Sequence, residues 1–296
     1  MELGVMFPGQ GWGMDGAEAR DFAQGVEGIG FDWLGTNDHV TYAYEQAGRE
    51  RPLYAAPVDQ HEPLTLLAHL AAVTERLLLQ SAALVLPQRQ PALVAKQAAE
   101  LDVLSGGRFR LGVGMGWSAA EYESLGVAFE ERAARFEESV AVLRACWGAE
   151  PVHFAGRFTT IRAMNMEPKP LTPGGPPIIV GGFVEAAERR AARIGNGWIG
   201  ISMEGVGGSK PVVQRLRAGL AAAGRSGEPF PVQWMVELSD DAAAMTDALR
   251  THREAGVESV LLMLGDEGAA WETGRVDGQL RRLERFWREV RPGIVG

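Results

Sequence analysis

Cysteine and lysine are both scarce in this sequence. Cys146 is the only cysteine, which excludes an intramolecular disulfide bond and a cysteine-rich metal site. It lies in the apolar helical pattern LRACW, so we expect a buried and unreactive thiol. The only lysines are Lys96, Lys169 and Lys210, the net charge is −9, and no segment clusters basic residues as a phosphate-binding surface does. The sequence therefore argues against nucleic acid as a partner.

Long hydrophobic runs are missing as well. No apolar stretch approaches the roughly 20 residues that a membrane-spanning helix needs. The first residues, MELGVMFPGQ, enter a strand pattern at once and carry neither the basic region nor the cleavage site of a secretory signal. We therefore expect a cytoplasmic protein with no membrane partner.

The motifs of several common chemistries are also absent. Histidines and carboxylates do not occur at the spacing of metal ligands, so we expect no metal site. There is no GxSxG motif, no evident Ser-His-Asp set and no identifiable pair of opposed catalytic carboxylates. No strand pattern runs directly into a dinucleotide-binding glycine fingerprint with an acidic residue about 20 positions further on.

What the sequence does contain is a regular alternation of strand and helix patterns. Eight short runs rich in Val, Ile, Leu and Phe, bounded by Gly or Pro, are typical of buried parallel strands. Amphipathic helical patterns lie between them, one of them with Pro91 in its first turn. The alternation predicts a single α/β domain over residues 1–296 with the strands closed as a (β/α)8 barrel, and an open doubly wound sheet is the alternative. The predicted strands cover 3–7, 31–35, 77–86, 109–115, 177–181, 198–202, 232–238 and 259–264.

Two connections, 37–62 and 148–175, are longer than a simple turn between a strand and a helix. Long ordered loops in a compact domain are usually lids or binding loops. Segment 37–62 follows a strand and therefore begins on the active face of a barrel, which favours a lid. Segment 148–175 contains the hairpin-like pattern PVHFAGRFTTI and fits a binding loop and a surface excursion equally well. We expect both segments to contribute to the substrate pocket.

In a barrel, the residues that directly follow the strands face the ligand. In this sequence they are mostly small or apolar, with one histidine among them. Such a mouth is typical of a site that holds a flat cofactor and leaves the chemistry to it. The residues placed there are Pro8, Gly9, Gln10, Asn37, Asp38, His39, Ala83, Leu84, Val85, Pro87, Gly114, Met115, Gly116, Trp117, Gly181, Gly182, Phe183, Ser202 and Met203.

Four segments, taken in order, resemble the bacterial luciferase-like monooxygenase family, and more narrowly its branch that uses the deazaflavin coenzyme F420. They are GFDWLGTNDHV (30–40), LLLQSAALVLPQRQPALVAKQAAELDVLSGGR (77–108), GRFRLGVGMGWSAAEYESLGVAFEERAARFEESVAVLRACW (107–147) and PPIIVGGFVEAAERRAARIGNGWI (176–199). The resemblance runs from residue 3 to about 200 and is loose beyond that. It implies a luciferase-like TIM barrel with insertions after strands 2 and 4.

The resemblance also assigns roles to residues. It places His39 beside the hydride-transferring carbon, where an imidazole can donate a proton or polarise a carbonyl, and Asp38 next to it on the cofactor side. It implies a non-proline cis peptide bond within 81–85, around Ala83-Leu84, that forms a bulge behind the ring. The other cofactor residues that it implies are Gly114, Met115, Gly116 and Trp117, where the glycines would let the backbone approach a ring or a phosphate and Trp117 would stack on the cofactor or wall its tail. It also implies Gly181, Gly182 and Phe183, which precede a helix whose free N–H groups would bind phosphate.

Without the resemblance, these residues have simpler interpretations. Asp38 would be a loop-capping residue and His39 an exposed one, the strand around 81–85 would be regular, and Trp117 would pack at a tight turn. The sequence also departs from the family pattern. Asn196 stands where an Asp is common, and Gln10 and Trp117 stand where some deazaflavin dehydrogenases carry a Glu, which argues against a sugar-phosphate dehydrogenase.

Three functions follow from these observations. The first is an oxidoreductase that moves a hydride between F420 and a small organic substrate, with His39 assisting protonation. The second is an FMN-dependent monooxygenase that receives reduced flavin from a separate reductase. The third is a non-catalytic relative that only binds a flavin. The resemblance further implies a homodimer.

Overall fold

The computed structural model describes residues 1–8, 13–45, 59–200, 208–264 and 275–295. Within them, eight parallel strands form a closed barrel, the third of which is interrupted and labelled β3 and β4, and this confirms the eight strand segments and the (β/α)8 architecture predicted from the sequence. In chain order the strands of the barrel and of one separate hairpin are β1 (Glu2–Met6), β2 (Trp33–Thr36), β3 (Leu78–Ser81), β4 (Leu84–Val85), β5 (Phe109–Gly114), β6 (Val152–Ala155), β7 (Thr160–Met164), β8 (Ile178–Gly181), β9 (Gly197–Gly200), β10 (Val232–Glu237) and β11 (Ser259–Met263).

Strand pairing closes the barrel. β1 pairs in parallel with β2 on one side and with β11 on the other. β3 pairs with β5 only through Leu79 and Gln80, and the two-residue β4 resumes the pairing with β5 nearer the carboxyl end. Between β3 and β4 the chain bulges at a cis peptide bond, Ala82-Ala83. The barrel wall is therefore regular except at the end of β3.

Helices cover the outside of the barrel and bury their apolar faces against the strands. The capping box of the first helix joins Asp15 and Glu18, and Gly30 in the left-handed region (φ 109°) ends that helix. Pro91 occupies the first turn of the third, as predicted. The helices are α1 (Gly16–Ile29), α2 (Pro63–Val73), α3 (Pro91–Leu104), α4 (Ala119–Ser124), α5 (Arg132–Trp147), α6 (Glu185–Ile194), α7 (Ser209–Ala222), α8 (Ala242–Glu254), α9 (Arg275–Glu289) and α10 (Arg291–Val295).

Two polar pairs join strands of the barrel, one in its interior and one at its partly exposed amino-terminal end. The fully buried amides of Gln80 and Gln233 exchange hydrogen bonds of 2.7 and 3.0 Å, one in each direction. Nearer the amino-terminal ends of the strands, Arg110 donates to both carboxylate oxygens of Glu2 at 2.7 and 2.9 Å. Each buried amide satisfies the other, so this pair avoids the cost of an unpaired polar group.

One glycine of β5 permits the close approach of β3. A β-carbon on Gly112 would collide with the carbonyl oxygen of Ser81. In return, the Ser81 hydroxyl donates to the Gly112 carbonyl at 2.8 Å. A side chain of any size at position 112 would push the two strands apart directly below the bulge.

The predicted hairpin in 148–175 is confirmed as β6 and β7, which pair antiparallel. Its tip packs along α5, where the Glu138 carboxylate accepts hydrogen bonds from the N–H groups of residues 157–159. The hairpin follows α5 rather than a barrel strand and therefore lies on the outer layer. Cys146 beneath it is buried, as expected, and burial raises the pKa of its thiol. Of the other long connection, residues 46–58 lie outside the described part of the chain.

Some expectations concern absences. Among the residues described, no helix combines the length and the apolar character needed to cross a membrane. The same residues contain no group of three or more His, Cys, Asp or Glu side chains placed to hold a metal ion. Gly9, Gln10, Ser202 and Met203, named above as mouth residues, lie outside the described residues.

Candidate active site

Three of the predicted cofactor residues meet at the carboxyl ends of neighbouring strands. A β-carbon on Gly114 would lie 3.5 Å from the β-carbon of Ala83, and one on Gly181 would lie 3.2 Å from it. The cis peptide bond expected within 81–85 is confirmed, one bond earlier than the position around Ala83-Leu84. Leu84 is fully buried behind this surface. Ala83, Gly114 and Gly181, called here the small-residue surface, leave room at the barrel mouth because they carry almost no side chain.

His39 is held by a buried carboxylate. Its Nδ1 lies 3.1 Å from Oε2 of Glu121, whose side chain is 1% exposed, whereas that of His39 is 10% exposed. The other oxygen of Glu121 accepts the N–H groups of Val40 at 2.6 Å and Thr41 at 3.3 Å. Burial alone would raise the pKa of Glu121, but the hydrogen bonds from His39 and Val40 outweigh it, and the pKa falls below the ordinary value of 4.5.

This carboxylate fixes the state of the imidazole. An ionised Glu121 accepts hydrogen bonds only, so Nδ1 of His39 carries the proton and Nε2 is the nitrogen at which the ring gains or loses one. The arrangement can therefore hold a proton at Nε2 and keep the ring in one orientation.

Local structure explains why Glu121 points at His39. Ser118 caps the amino terminus of α4, and its hydroxyl accepts the N–H of Glu121 at 3.3 Å. A glutamate at this position of a capping box usually returns to the backbone of the cap, as Glu18 does in α1. In α4 the Glu121 side chain instead accepts the donors of the loop after β2. α4 therefore has only the Ser118 part of a capping box, because the Glu121 carboxylate contacts His39 instead of the N-cap backbone.

Asp38 anchors the same loop to β4, the short strand that follows Ala83. One of its oxygens accepts the N–H of Val85 at 2.8 Å, and the other accepts from Arg89 at 2.7 Å. Arg89 also reaches Glu62 at 3.1 Å. Burial raises the pKa of Asp38, and the charge of Arg89 opposes that rise. The side chain of Asp38 has no exposed surface, so we assign it a positioning role, and its predicted contact with a cofactor remains a prediction.

Aromatic rings surround His39. Its ring centroid lies 5.5 Å from that of Trp117, edge to face, and 4.9 Å from that of Tyr42. Trp117 is 41% exposed and stands at the rim of the mouth. Gly116, the residue before Trp117, has a positive φ of 67°, and a β-carbon there would collide with the side chain of Val85. Both features favour glycine at this position. The neighbouring carbonyl of Met115 accepts the hydroxyl of the buried Tyr122 at 2.5 Å.

The predicted phosphate site lies at the end of β8. Gly182 touches Ala187 so closely that a β-carbon would collide with it, and Phe183 is 64% exposed. The N-cap residue of α6, Val184, provides no side-chain cap for the free N–H groups. The first turn of α6 also carries Glu185, which pairs with Arg189. Uncapped N–H groups favour the binding of an anion, whereas the negative charge of Glu185 disfavours it. Phosphate binding at this turn stays a prediction.

The sequence interpretation missed two residues of the site, Glu121 and Arg89. The signal for Glu121 was present as Ser118-x-x-Glu121, which predicts a capping box rather than a partner for a histidine 82 residues away. Arg89 follows the 3₁₀ turn Leu86–Gln88, and nothing in LPQRQP indicates which carboxylate it meets. The predicted departure at Asn196 is structurally mild, because its Oδ1 accepts the N–H of Ile178 at 3.1 Å.

We expect Arg89→Met to destabilise the fold by about 3 kcal/mol, because it leaves the Asp38 carboxylate buried without its cation. Urea denaturation at pH 7 measures the change in the free energy of unfolding. The exposed pair Arg20–Asp21 provides the control, since Arg20→Met should change stability by less than about 0.5 kcal/mol. A loss below about 1 kcal/mol for Arg89→Met would show that the pair does not hold the loop.

Glu121→Gln should flatten the acid limb of the stability curve. The pKa of Glu121 lies below 4.5 in the folded protein, so its ionised form adds stability above pH 4.5, and this stability is lost as the pH falls through the folded-state value. Melting temperatures of both proteins between about pH 3 and pH 7 measure the difference. The two curves should be furthest apart above pH 4.5 and should approach each other as the pH falls below it. Glu130→Gln removes an exposed carboxylate on the protein surface and is the control.

Comparison with known proteins yields one family and several relatives. A family model described as luciferase-like monooxygenase matches residues 1–288. An uncharacterized protein of Mycobacterium tuberculosis is 36% identical over 289 residues, which cover 90% of this chain and 92% of that protein. An FMNH2-dependent dimethylsulfone monooxygenase of Pseudomonas fluorescens is 35% identical over 214 residues, covering 71% of this chain but only 54% of that protein.

Solved structures show the same fold. The crystal structure of a monooxygenase from Streptomyces bottropensis aligns with a TM-score of 0.75 at 21% identity and covers 99% of both chains. An F420-dependent secondary alcohol dehydrogenase aligns with a TM-score of 0.77 at 16% identity and covers 100% of this chain and 99% of its own. At this identity the likeness concerns the barrel architecture alone.

Proposed function

Because the chain belongs to the luciferase-like monooxygenase family, we propose that it is an oxidoreductase that transfers a hydride between the deazaflavin coenzyme F420 and a small organic substrate. Members of the family are oxidoreductases that use F420 or FMN, so a flavin-type cofactor is common to both branches. The choice of F420 rests on the sequence segments described above. The F420-dependent dehydrogenase with the same fold is compatible with it.

The observation that carries the proposal is the pair of His39 and Glu121 on a loop tied to the small-residue surface. Ala83, Gly114 and Gly181 leave space for a flat ring, which fits an isoalloxazine or deazaflavin. The loop that bears His39 is tied to the same strand through Asp38 and Val85. When bound there, the deazaflavin would supply or accept the hydride.

The protein's own residues would manage the proton. His39 would deliver a proton from Nε2 to the substrate atom next to the one that receives the hydride, and Glu121 would hold the ring in the orientation that this transfer needs. The rings of Trp117 and Tyr42 flank the imidazole and limit the access of water. Asp38 and Arg89 keep the loop in place during the reaction.

An FMN-dependent monooxygenase is the second candidate, and one observation favours it. The relative with a described activity that shares 35% identity with this chain depends on FMNH2. The small-residue surface fits either ring, because the two ring systems have the same flat outline. In this case a separate flavin reductase would be the partner.

A titration that follows the quenching of protein fluorescence distinguishes the cofactors. Purified protein is titrated in parallel with F420 and with FMN, and saturable binding of F420 without binding of FMN is the expected result. As a matched pair, Gly114→Leu should fill the small-residue surface and weaken binding at least tenfold, whereas Gly28→Ala on the outer layer should leave it unchanged. Tight binding of FMN alone would favour the FMN-dependent monooxygenase, and binding of neither cofactor would contradict both proposals.

Assembly and location are proposed on the family resemblance. We propose a cytoplasmic homodimer, and the exposed apolar side chains of Leu93 and Leu104 on α3 support a contact of this kind. Sedimentation velocity at several concentrations measures the assembly state, and a monomer at all of them would contradict the proposal.

A further inference from the structure

One carboxylate at the barrel mouth has no role in the site described so far. It is Glu237, the last residue of β10. Along β10, side chains alternate between the barrel axis and the helices. Gln233 bonds to Gln80 inside the barrel, Met235 packs against the interior cluster, and the register therefore turns Glu237 to the same side at the carboxyl end of the strand.

The strands beside Glu237 place methionines at the same level. Met263 is its register partner on β11, where Leu261 two residues earlier belongs to the interior cluster. On the next strand, Met6 ends β1 and also packs against that cluster. Three neighbouring strands thus present Glu237, Met263 and Met6 to the mouth, with Met235 one layer below Glu237. We call these four residues the methionine wall.

The methionine wall stands across the barrel from the small-residue surface. The hydrogen bonds between Gln80 on β3 and Gln233 on β10 span the interior between the two sides. Ala83 lies beyond the carboxyl end of β3, and Glu237 lies at that of β10. A ring on the small-residue surface would therefore leave the substrate between itself and the methionine wall.

Glu237 differs from the other carboxylates of the mouth. Asp38 is bound by Arg89 and a backbone N–H, and Glu121 by His39 and two backbone N–H groups. Glu237 is exposed, and among the described residues it makes neither an ion pair nor a side-chain hydrogen bond. This carboxylate can therefore bind a ligand, and the flexible methionine side chains beside it can contact the apolar part of that ligand.

We propose that Glu237 binds the ammonium group of the substrate, while the methionines bind its apolar body. The substrate class is thus a small apolar amine, with its reacting carbon directed across the mouth towards the small-residue surface. This assignment rests on the proposed function, which places the ring there. The overall charge of −9 also favours the approach of a cation over that of an anion.

The test uses three probes with the same alkyl chain, namely octylammonium, octanol and octanoate. Calorimetry measures their binding to the protein at pH 7, with and without saturating F420. We expect octylammonium to bind about tenfold more tightly than octanol and octanoate to bind most weakly. Glu237→Gln should abolish the preference for the ammonium, and Glu237→Lys should reverse it in favour of octanoate.

Two controls separate this proposal from the proposed function. Glu254→Gln removes an exposed carboxylate at the end of α8 and should keep the wild-type preference. F420 affinity should be the same in the Glu237 variants as in the wild type. If F420 fails to bind but the ammonium preference holds and depends on Glu237, only the proposed function is wrong. If wild type and Glu237→Gln rank the probes alike, the assignment of Glu237 is overturned.

Discussion

Gly112→Ala is expected to lower the free energy of unfolding by more than about 4 kcal/mol, or to prevent folding. The new β-carbon would collide with the carbonyl oxygen of Ser81, a backbone atom that cannot turn away as a side chain does. Relief requires β3 and β5 to separate, which breaks the hydrogen bond from the Ser81 hydroxyl and disturbs the bulge beyond it. Overpacking of this kind costs more than the usual 1–3 kcal/mol because no rotamer change can absorb it.

Urea denaturation measures the effect, and Gly28→Ala is the matched control. Gly28 lies in α1 with no atom close to the position of a new β-carbon. Alanine there should stabilise the protein by up to about 1 kcal/mol. The reason is that the unfolded chain has less backbone entropy with alanine than with glycine, so less is lost when the helix forms. If both variants had equal stability, the close approach of β3 and β5 would not be a feature of the folded protein.

His39→Ala is expected to reduce the turnover number by about 100-fold or more, with little change in cofactor affinity. The substrate position would lose its proton donor, whereas the small-residue surface that fits the ring would remain intact. Turnover is followed by the change in F420 absorbance in the presence of an acceptor found by screening carbonyl compounds, enones and imines. A loss below about threefold would remove the assigned role of His39.

The control for this variant is another histidine of the chain. His69 is exposed on α2 and its Nε2 contacts the carbonyl of Gly16, so His69→Ala should keep turnover within about twofold of the wild type. Glu121→Gln gives an intermediate test of the same pair. It should reduce turnover less than His39→Ala does, because the amide can still orient the imidazole through a hydrogen bond to Nδ1. If the parent protein binds its cofactor but turns over nothing, the non-catalytic alternative is favoured.

The sequence predicts the fold well because the fold depends on local patterns. Each of the eight apolar runs is short and bounded by Gly or Pro, and each became a barrel strand. The exact ends were less predictable. The run 77–86 is one continuous apolar pattern, yet in the structure it divides into β3 and β4 around Ala82-Ala83. Hydropathy carries no information about a bulge, and only the family resemblance indicated one.

The site was predictable where it follows strand ends and unpredictable where it depends on contacts between distant segments. Ala83, Gly114 and Gly181 come together because the carboxyl ends of neighbouring parallel strands meet at one face. Glu121 reaches His39 from a helix far along the chain, and a single sequence contains no record of that contact. Glu237 was not predictable, because the alternation within 232–238 defines two faces of a strand without indicating which of them lines the barrel interior.

The paired amides at the centre of the barrel constrain how this sequence can evolve. Gln80 and Gln233 each satisfy the other, and both are fully buried. A mutation at either position alone leaves one buried amide without a partner, which costs about 1–3 kcal/mol, whereas replacing both by apolar residues of similar shape can be nearly neutral. Selection should therefore treat the two positions as one unit, and homologues should carry either both glutamines or neither.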